Sequence, residues 1–308
     1  MKRLQLLQEW IYVSRYLYPN GRTPIMRLIY RRLFWKISQH LKLLHRPAIV
    51  PLDAFPCIEI LVPDLAQEYA LYMYRTPLME SEFWQLAHIV APGMTVVNIG
   101  ANVGIYALAL AQRVGPAGVV YAFEPEPNTY RYLMMNVAWN QLRHFVGFNI
   151  YCHELAVSDT DKPMRLYYYP SHLQHSFFPQ TNDQEYIEVQ TITLDKWSAN
   201  HEITHVDFLC IDAEGAEALI LQGAHKLLSS SPSPVIMCEF NKKFGTPELV
   251  WNKLKDYGYC FWHYNAHQDR LVPVYSPLSA EIYTHRQHMP GYGYGNVICA
   301  KPPWSPGI

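Results

Sequence analysis

A chain of 308 residues, half of them apolar and 17% charged, holds enough apolar material for one large core and is not the composition of a disordered protein. A formal net charge of −1 excludes the strongly basic field that recruits nucleic acid, so no nucleic-acid partner is expected. No apolar run reaches the roughly 18 residues that cross a bilayer. The first residues lack the layout of a secretion signal, and the six cysteines form no CxxC pair; a cytoplasmic, reducing setting is expected, without a zinc site or disulfide framework.

Charge is unevenly placed along the chain. Residues 1–46 carry ten basic side chains (Lys2, Arg3, Arg15, Arg22, Arg27, Arg31, Arg32, Lys36, Lys42, Arg46) against one acid, Glu9. Thr23-Pro24 reads as an N-cap followed by proline at the first helical position. Met26, Ile29, Leu33, Phe34, Ile37, Leu41 and Leu44 then recur at helical spacing, predicting a helix of about 20 residues. Its other face carries Arg27, Arg31, Arg32, Lys36 and His40, which suits packing on the main domain or peripheral contact with an anionic membrane. Residues 46–64 read as a connector with an edge strand over Ile58–Val62, so residues 1–64 form a helical extension and 65–308 the main domain.

From Ser81 onward, short β-branched runs alternate with amphipathic helices, the mark of a parallel sheet. Helices are predicted over Glu82–Val90, Val103–Val114 and Asn128–Asn140, the last with Tyr130, Leu133, Met134 and Val137 as its inner face. Strands are predicted at Thr95–Ile99, Val119–Glu124 and Phe148–His153. Met164–Tyr169 and Ile187–Leu194 alternate polar with apolar residues and read as an antiparallel excursion joined by a loop over 171–185. A strand at Val206–Ile211, one helix bearing Ala216, Leu219, Ile220, Gly223, Ala224, Leu227 and Leu228, and a strand at Val235–Phe240 resume the pattern. Strands near Tyr259–His263 and Gly295–Ala300 close a mostly parallel, seven-stranded α/β sheet with helices on both faces.

Three constellations carry chemistry. In VVNIGANVGIY (96–106) an apolar strand runs into glycines that open a helix, so Gly100 and Gly104 bring backbone close to a ligand. The spacing is GxxxG rather than the GxGxxG that cradles a pyrophosphate, which disfavours a nicotinamide dinucleotide. One strand-helix-strand step later, Phe123-Glu124-Pro125 puts an acid where it accepts hydrogen bonds from two ribose hydroxyls. Finally, the strand 206–211 delivers Asp212 to the carboxyl edge of the sheet, followed by Glu214 and Glu217, which also suit the first turn of the next helix.

Together these segments, with ELAVSD (154–159), TLDKW (193–197) and VDFLCIDAEGAEALILQGA (206–224), resemble the FkbM family of S-adenosylmethionine-dependent methyltransferases over about residues 80–240. The resemblance implies a Rossmann-like class I methyltransferase fold and methyl transfer to an oxygen of a sugar, glycan or secondary metabolite. It implies S-adenosyl-L-methionine held by Asn98, Gly100, Ala101, Asn102, Gly104, Glu124 and Pro125, with Glu154, Ala156 and Val157 bordering the adenine. Asn98 stands where the family usually carries aspartate, which removes a carboxylate from beside the cofactor's ammonium group, and Cys210 replaces a common lysine.

An alcohol acceptor must lose a proton, and Asp212, then His175, are the candidate bases; Asp212 also borders the cofactor. A further option is a divalent metal such as magnesium on Asp212, Glu239 and Asn241, in the manner of catechol-type O-methyltransferases. His172/His175 and His285/His288 lack further suitably spaced ligands. The alternatives to an active methyltransferase are a catalytically silent scaffold on the same fold and a nicotinamide-dependent enzyme. Aromatic residues of the tail (Trp262, Tyr264, Tyr283, Tyr292, Tyr294) suit either sugar stacking or covering the sheet edge.

Overall fold

The computed structural model describes residues 33, 35–37, 47–52, 57–62, 86–144, 147–169, 175–230, 232–242, 247–265, 268, 270–279, 282 and 294–305. Outside them lie most of the predicted N-terminal helix, the start of the helix predicted from Glu82, and His172, Tyr283, His285, His288 and Tyr292.

Eight strands form the main sheet: β1 (Thr95–Ile99), β2 (Val119–Phe123), β3 (Asn149–His153), β4 (Phe208–Ile211), β5 (Val235–Asn241), β6 (Cys260–Asn265), β7 (Arg270–Val274) and β8 (Tyr294–Ala300). Their order is β7-β6-β8-β5-β4-β1-β2-β3; β5, β4, β1, β2 and β3 are parallel, and β8 runs antiparallel between β5 and β6. The sheet is thus the expected mostly parallel α/β sheet, with eight strands where seven were predicted. The extra strand is β7, an edge hairpin partner of β6 whose run Arg-Leu-Val-Pro-Val includes Pro273, a residue tolerated at a sheet edge and easily read as a loop.

Among the described residues six helices join these strands: α1 (Ile105–Val114), α2 (Pro127–Arg143), α3 (Leu194–Asn200), α4 (Glu217–Gln222), α5 (His225–Ser229) and α6 (Pro247–Asp256). One apolar layer packs Ala107, Leu108 and Leu110 of α1 and Leu133 and Val137 of α2 against Val96, Ala122 and Cys210 of the sheet. The opposite layer packs Leu194 and Trp197 of α3, Ile220 of α4, Leu228 of α5 and Leu254 of α6 against Val97, Ile99, Leu209 and Phe240. Alternation along β1 therefore sends consecutive side chains into different layers, as both-face burial of a parallel sheet requires. Among the described residues no helix is long and apolar enough to cross a membrane.

Two predicted helices need correction. The single helix predicted through 216–228 is broken into α4 and α5 at Gly223, where a Cβ would overlap the Ser158 carbonyl oxygen; close backbone approach, not helical periodicity, is what requires glycine there. The inner face of α2 is also rotated from the predicted one. Leu133 and Val137 are buried, but Met134 is exposed, and Asn136 and Asn140 are buried in its stead. Both asparagines treat strand 59–62 as a neighbouring strand would. Asn136 accepts from Leu61 N (2.6 Å) and donates to Leu61 O (3.0 Å) and Val103 O (2.7 Å); Asn140 accepts from Glu59 N (2.9 Å) and donates to Glu59 O (2.7 Å). Strand 59–62 pairs antiparallel with 48–51, so the connector's predicted edge strand joins a small hairpin locked to α2.

The excursion after β3 is antiparallel as expected: Met164–Tyr168 pairs with Tyr186–Val189, and His175–Ser176 adds a short third strand inside the predicted loop. Ala156–Val157 pairs parallel with Thr191–Ile192. Tyr264 is buried under the sheet and Trp262 stacks edge-on against Trp304, so these two tail aromatics cover the edge strands.

Candidate functional site

Strand order reverses between β1 and β4: the chain builds β1, β2 and β3 outward in one direction, then returns to place β4 on the other side of β1. Loops leaving the carboxyl ends of β1 and β4 diverge at such a point and leave a crevice. That crevice is lined by Ile99, Gly100 and Asn102 after β1, Phe123, Glu124, Pro125 and Thr129 after β2, Leu155, Ala156 and Val157 after β3, and Asp212, Ala213, Glu214 and Ala216 after β4. Leu166, His175 and Phe177 of the antiparallel excursion complete it. At the usual strand spacing of about 4.8 Å, the four strand ends extend over roughly 14 Å.

Gly100 forms the floor. Its φ is +76°, and a Cβ would overlap the Asp212 carbonyl oxygen, so the β1 turn and the β4 end are in backbone contact. The N–H groups of Gly100 and Ala101 both donate to Phe123 O, at 3.0 and 2.8 Å, tying the turn to β2. Asn102, also left-handed at φ 50°, aims its N–H at Glu124 Oε2 (3.0 Å), while Glu126 N donates to Glu124 Oε1 (3.0 Å). Glu124 is thus a buried carboxylate fixed by two backbone donors, and each oxygen keeps a further lone pair. Burial pushes its pKa up to about 7; the two N–H groups oppose this and the charges of Glu126 and Asp212 add to it.

Glu126 has a structural role. It caps α2, accepting from Thr129 N (2.7 Å) and Thr129 Oγ1 (2.9 Å), and despite its burial these bonds hold its pKa below the ordinary value. Glu217 likewise serves the local backbone: its Oε1 accepts from Ala213 N (3.0 Å) and Gly215 N (3.2 Å), bracing the turn after Asp212. Burial raises it to about 7, against those bonds, with Asp212 adding to the rise.

Register places a polar row beside the crevice. Ile211 pairs with Cys238 and Glu239 with Asn296, so Asp212, Glu239 and Asn296 occupy adjacent positions across β4, β5 and β8 on one face. Glu239, Asn241, Asn296 and, on β1, Asn98 are all buried. Burial, then the charges of Asp212, Glu214 and Glu217, hold Glu239 well above the ordinary carboxylate range, which favours its protonated form. Asn241 Nδ2 lies 3.2 Å from Glu239 Oε2, so these side chains are bonded to one another. Among the described residues no three His, Cys, Asp or Glu side chains are arranged to hold a metal ion.

Of the residues singled out from sequence, Gly100, Asn102, Glu124, Pro125, Ala156, Val157, His175 and Asp212 meet in this crevice. Four of the predicted cofactor-binding residues do not line it, nor do Glu217, Glu239 and Asn241. Asn98 lies inside the sheet, its Oδ1 buried and without a hydrogen-bond partner among the described residues. Ala101 is buried in the layer under α1, Gly104 faces Leu133 (2.8 Å from its would-be Cβ), and Glu154 is exposed. Sequence reasoning missed Leu166, which alternation gave only as part of a strand face, and Phe177, which fell in the predicted loop. It also missed Ser176, whose Oγ donates to Glu214 O (2.6 Å) and fastens the excursion over the β4 turn.

The family model described as the Methyltransferase FkbM domain matches residues 98–261, more than half of the chain. Curated proteins give no match. Among solved structures, an FkbM methyltransferase from Methylobacillus flagellatus aligns at 14% identity over 76% of this chain and 53% of its own, with a TM-score of 0.38. Aeropyrum pernix fibrillarin in complex with S-adenosyl-L-methionine aligns at 15% over 54% of this chain and 56% of its own (TM-score 0.33). An S-adenosylmethionine-dependent O-methyltransferase from Thermotoga maritima aligns at 13% over 80% and 75% (TM-score 0.38). The chain spans little more than half the length of the first two. By the extent of the domain match, which includes the glycine turn, Glu124 and Asp212, the chain belongs to the FkbM methyltransferase family.

Proposed function

We propose that the chain is an S-adenosylmethionine-dependent methyltransferase acting on a hydroxyl of a sugar, glycan or secondary metabolite. The observation that carries the cofactor reading is the charge of the crevice: Glu124, Asp212 and Glu214 line it, and no Lys or Arg does among the described residues. A pyrophosphate would meet only negative charge there, whereas a ligand bearing a sulfonium and an ammonium is attracted. The same feature disfavours the nicotinamide alternative.

The residues present fit the cofactor on three counts. The glycine turn, where a Cβ at Gly100 would overlap the Asp212 carbonyl oxygen, lets backbone rather than side chain form the floor under the ligand. The free lone pairs of Glu124 suit two ribose hydroxyls. Leu155, Ala156, Val157, Leu166 and Phe177 give apolar walls for a flat base at the β3 end. Bound there, the cofactor supplies an electrophilic methyl group on a positively charged sulfur. Asp212, at the border between the crevice and the polar row, takes the acceptor's proton in this reading. Glu239 and Asn296 hold neighbouring acceptor hydroxyls. His175 reaches the crevice from the excursion side and is the second candidate for the proton. Magnesium has no assigned part in this scheme, since Glu239 and Asn241 bond each other.

The test is transfer of label from methyl-labelled S-adenosylmethionine to a panel of glycans and phenols. Label on an acceptor oxygen, lost in Asp212→Asn, is the expected result. Tight binding of S-adenosylhomocysteine with no transfer to any acceptor would instead identify a silent scaffold.

A further inference from the structure

The two described residues of the expected N-terminal apolar stripe, Leu33 and Ile37, do not face the core. Leu33 is 57% and Ile37 50% exposed, one helical turn apart and beside the exposed Lys36, whereas Trp35 is buried in the α1/α2 layer. Trp35 holds this stretch to the domain while the Leu33/Ile37 side looks outward. A second outward apolar face lies on α2. Met134 (43% exposed), Ala138 and Leu142 (82%) form one row at i, i+4, i+8; Met135 (51%) and Trp139 (38%) form the adjacent row, ending in Arg143. The second face abuts the hairpin that directly follows the N-terminal segment. Trp139 Nε1 donates to Glu59 Oε2 (2.7 Å), Arg143 lies 3.5 Å from the same carboxylate and 4.9 Å over the Trp139 ring, and Ile49 on the paired strand is exposed.

We propose that these faces dock on an anionic lipid surface. Charge chooses this occupant: the ten basic residues against one acid in positions 1–46 include Arg27, Arg31, Arg32 and Lys36 around Leu33 and Ile37, and α2 adds Arg131 and Arg143. Basic side chains beside exposed Leu, Ile, Met and Trp are the composition that lies in the headgroup region, with aromatic and aliphatic groups inserted and cations on lipid phosphates. A soluble partner would have to be strongly acidic to meet the same segment. Docking is independent of the cofactor reading, since no residue named here lines the crevice.

The full chain is mixed with vesicles of phosphatidylcholine alone, and with vesicles in which about one third is phosphatidylglycerol, and sedimented at low and high salt. Binding to the phosphatidylglycerol vesicles at low salt, weakened by salt and absent on phosphatidylcholine, is expected. L33E/I37E and M135E/L142E should each lower it at least about tenfold while leaving the melting temperature and S-adenosylhomocysteine binding unchanged. Wild-type protein that stays in the supernatant, or variants that sediment like wild type, overturns the proposal. A dimer on gel filtration that both variants dissociate overturns it too, by making a second copy the occupant.

Discussion

At the scale of single residues, most of the site follows from a few positions where backbone approaches backbone. Gly100 is the tightest: because a methyl group there overlaps the Asp212 carbonyl at a positive φ, Gly100→Ala should lower stability by more than about 2 kcal/mol and abolish S-adenosylhomocysteine binding. A chemical-denaturation curve alongside a binding isotherm reads both. Glu124 gives a pH-dependent prediction. Its carboxyl group, raised to about 7, must ionise to hold ribose hydroxyls beside a cationic ligand. Affinity for S-adenosylmethionine should therefore fall as pH drops below 7, by up to about tenfold per pH unit, and this dependence should vanish in Glu124→Gln. Glu217 makes the stability counterpart. Raised from 4.5 to about 7, it contributes stability that is complete below pH 4.5 and lost as pH rises through 7. Glu217→Gln should thus gain on wild type by about 3 kcal/mol between pH 5 and pH 8, measured by denaturation at both pH values. Asp212→Asn should lower turnover about 10²- to 10⁴-fold while cofactor affinity holds or falls slightly, which steady-state kinetics and calorimetry separate.

At the scale of elements, periodicity located almost every strand and helix of the parallel core, because burial on both sheet faces leaves continuous apolar runs such as Thr95–Ile99 and Phe208–Ile211. It failed where a polar group was buried for a reason that no period encodes. Asn136 and Asn140 read as outward-facing on α2, and Met134 as inward-facing, until the hairpin 48–51/59–62 supplied backbone groups for the amides to satisfy. Asn136→Leu should accordingly cost about 2–4 kcal/mol, since it leaves Leu61 N, Leu61 O and Val103 O without that partner. Gly223 shows the same limit. Its place in a helical stripe concealed a close approach to Ser158 at the end of α4, and only the fold brings residue 158 there.

At the scale of the whole molecule, the sheet order brings together side chains from four separate strand ends, and this explains what sequence could and could not reveal of the crevice. Gly100, Glu124 and Asp212 were legible because each ends an apolar strand at the carboxyl edge, a position with known consequences. Leu166 and Phe177 were not, because they reach the crevice through the antiparallel excursion, whose placement depends on Ser176 meeting Glu214 across the fold. Glu239 was legible as the acid ending the strand next to Asp212, but its neighbour Asn296 was not, because that juxtaposition arises from the pairing of β5 with β8 and has no local signature. Charge acts at this scale as well: the acids converge on the crevice while the cations gather in the N-terminal segment, although the net charge is near zero.

The central claim is that an adenosyl sulfonium is held across the ends of β4, β1, β2 and β3. Calorimetric titration of the full chain with S-adenosylhomocysteine, against NAD and against Glu124→Ala, tests it most directly. One site per chain for S-adenosylhomocysteine, at least tenfold weaker without the Glu124 carboxylate, and no heat with NAD are the expected results. Saturable NAD binding, or S-adenosylhomocysteine binding that is indifferent to Glu124, would contradict it.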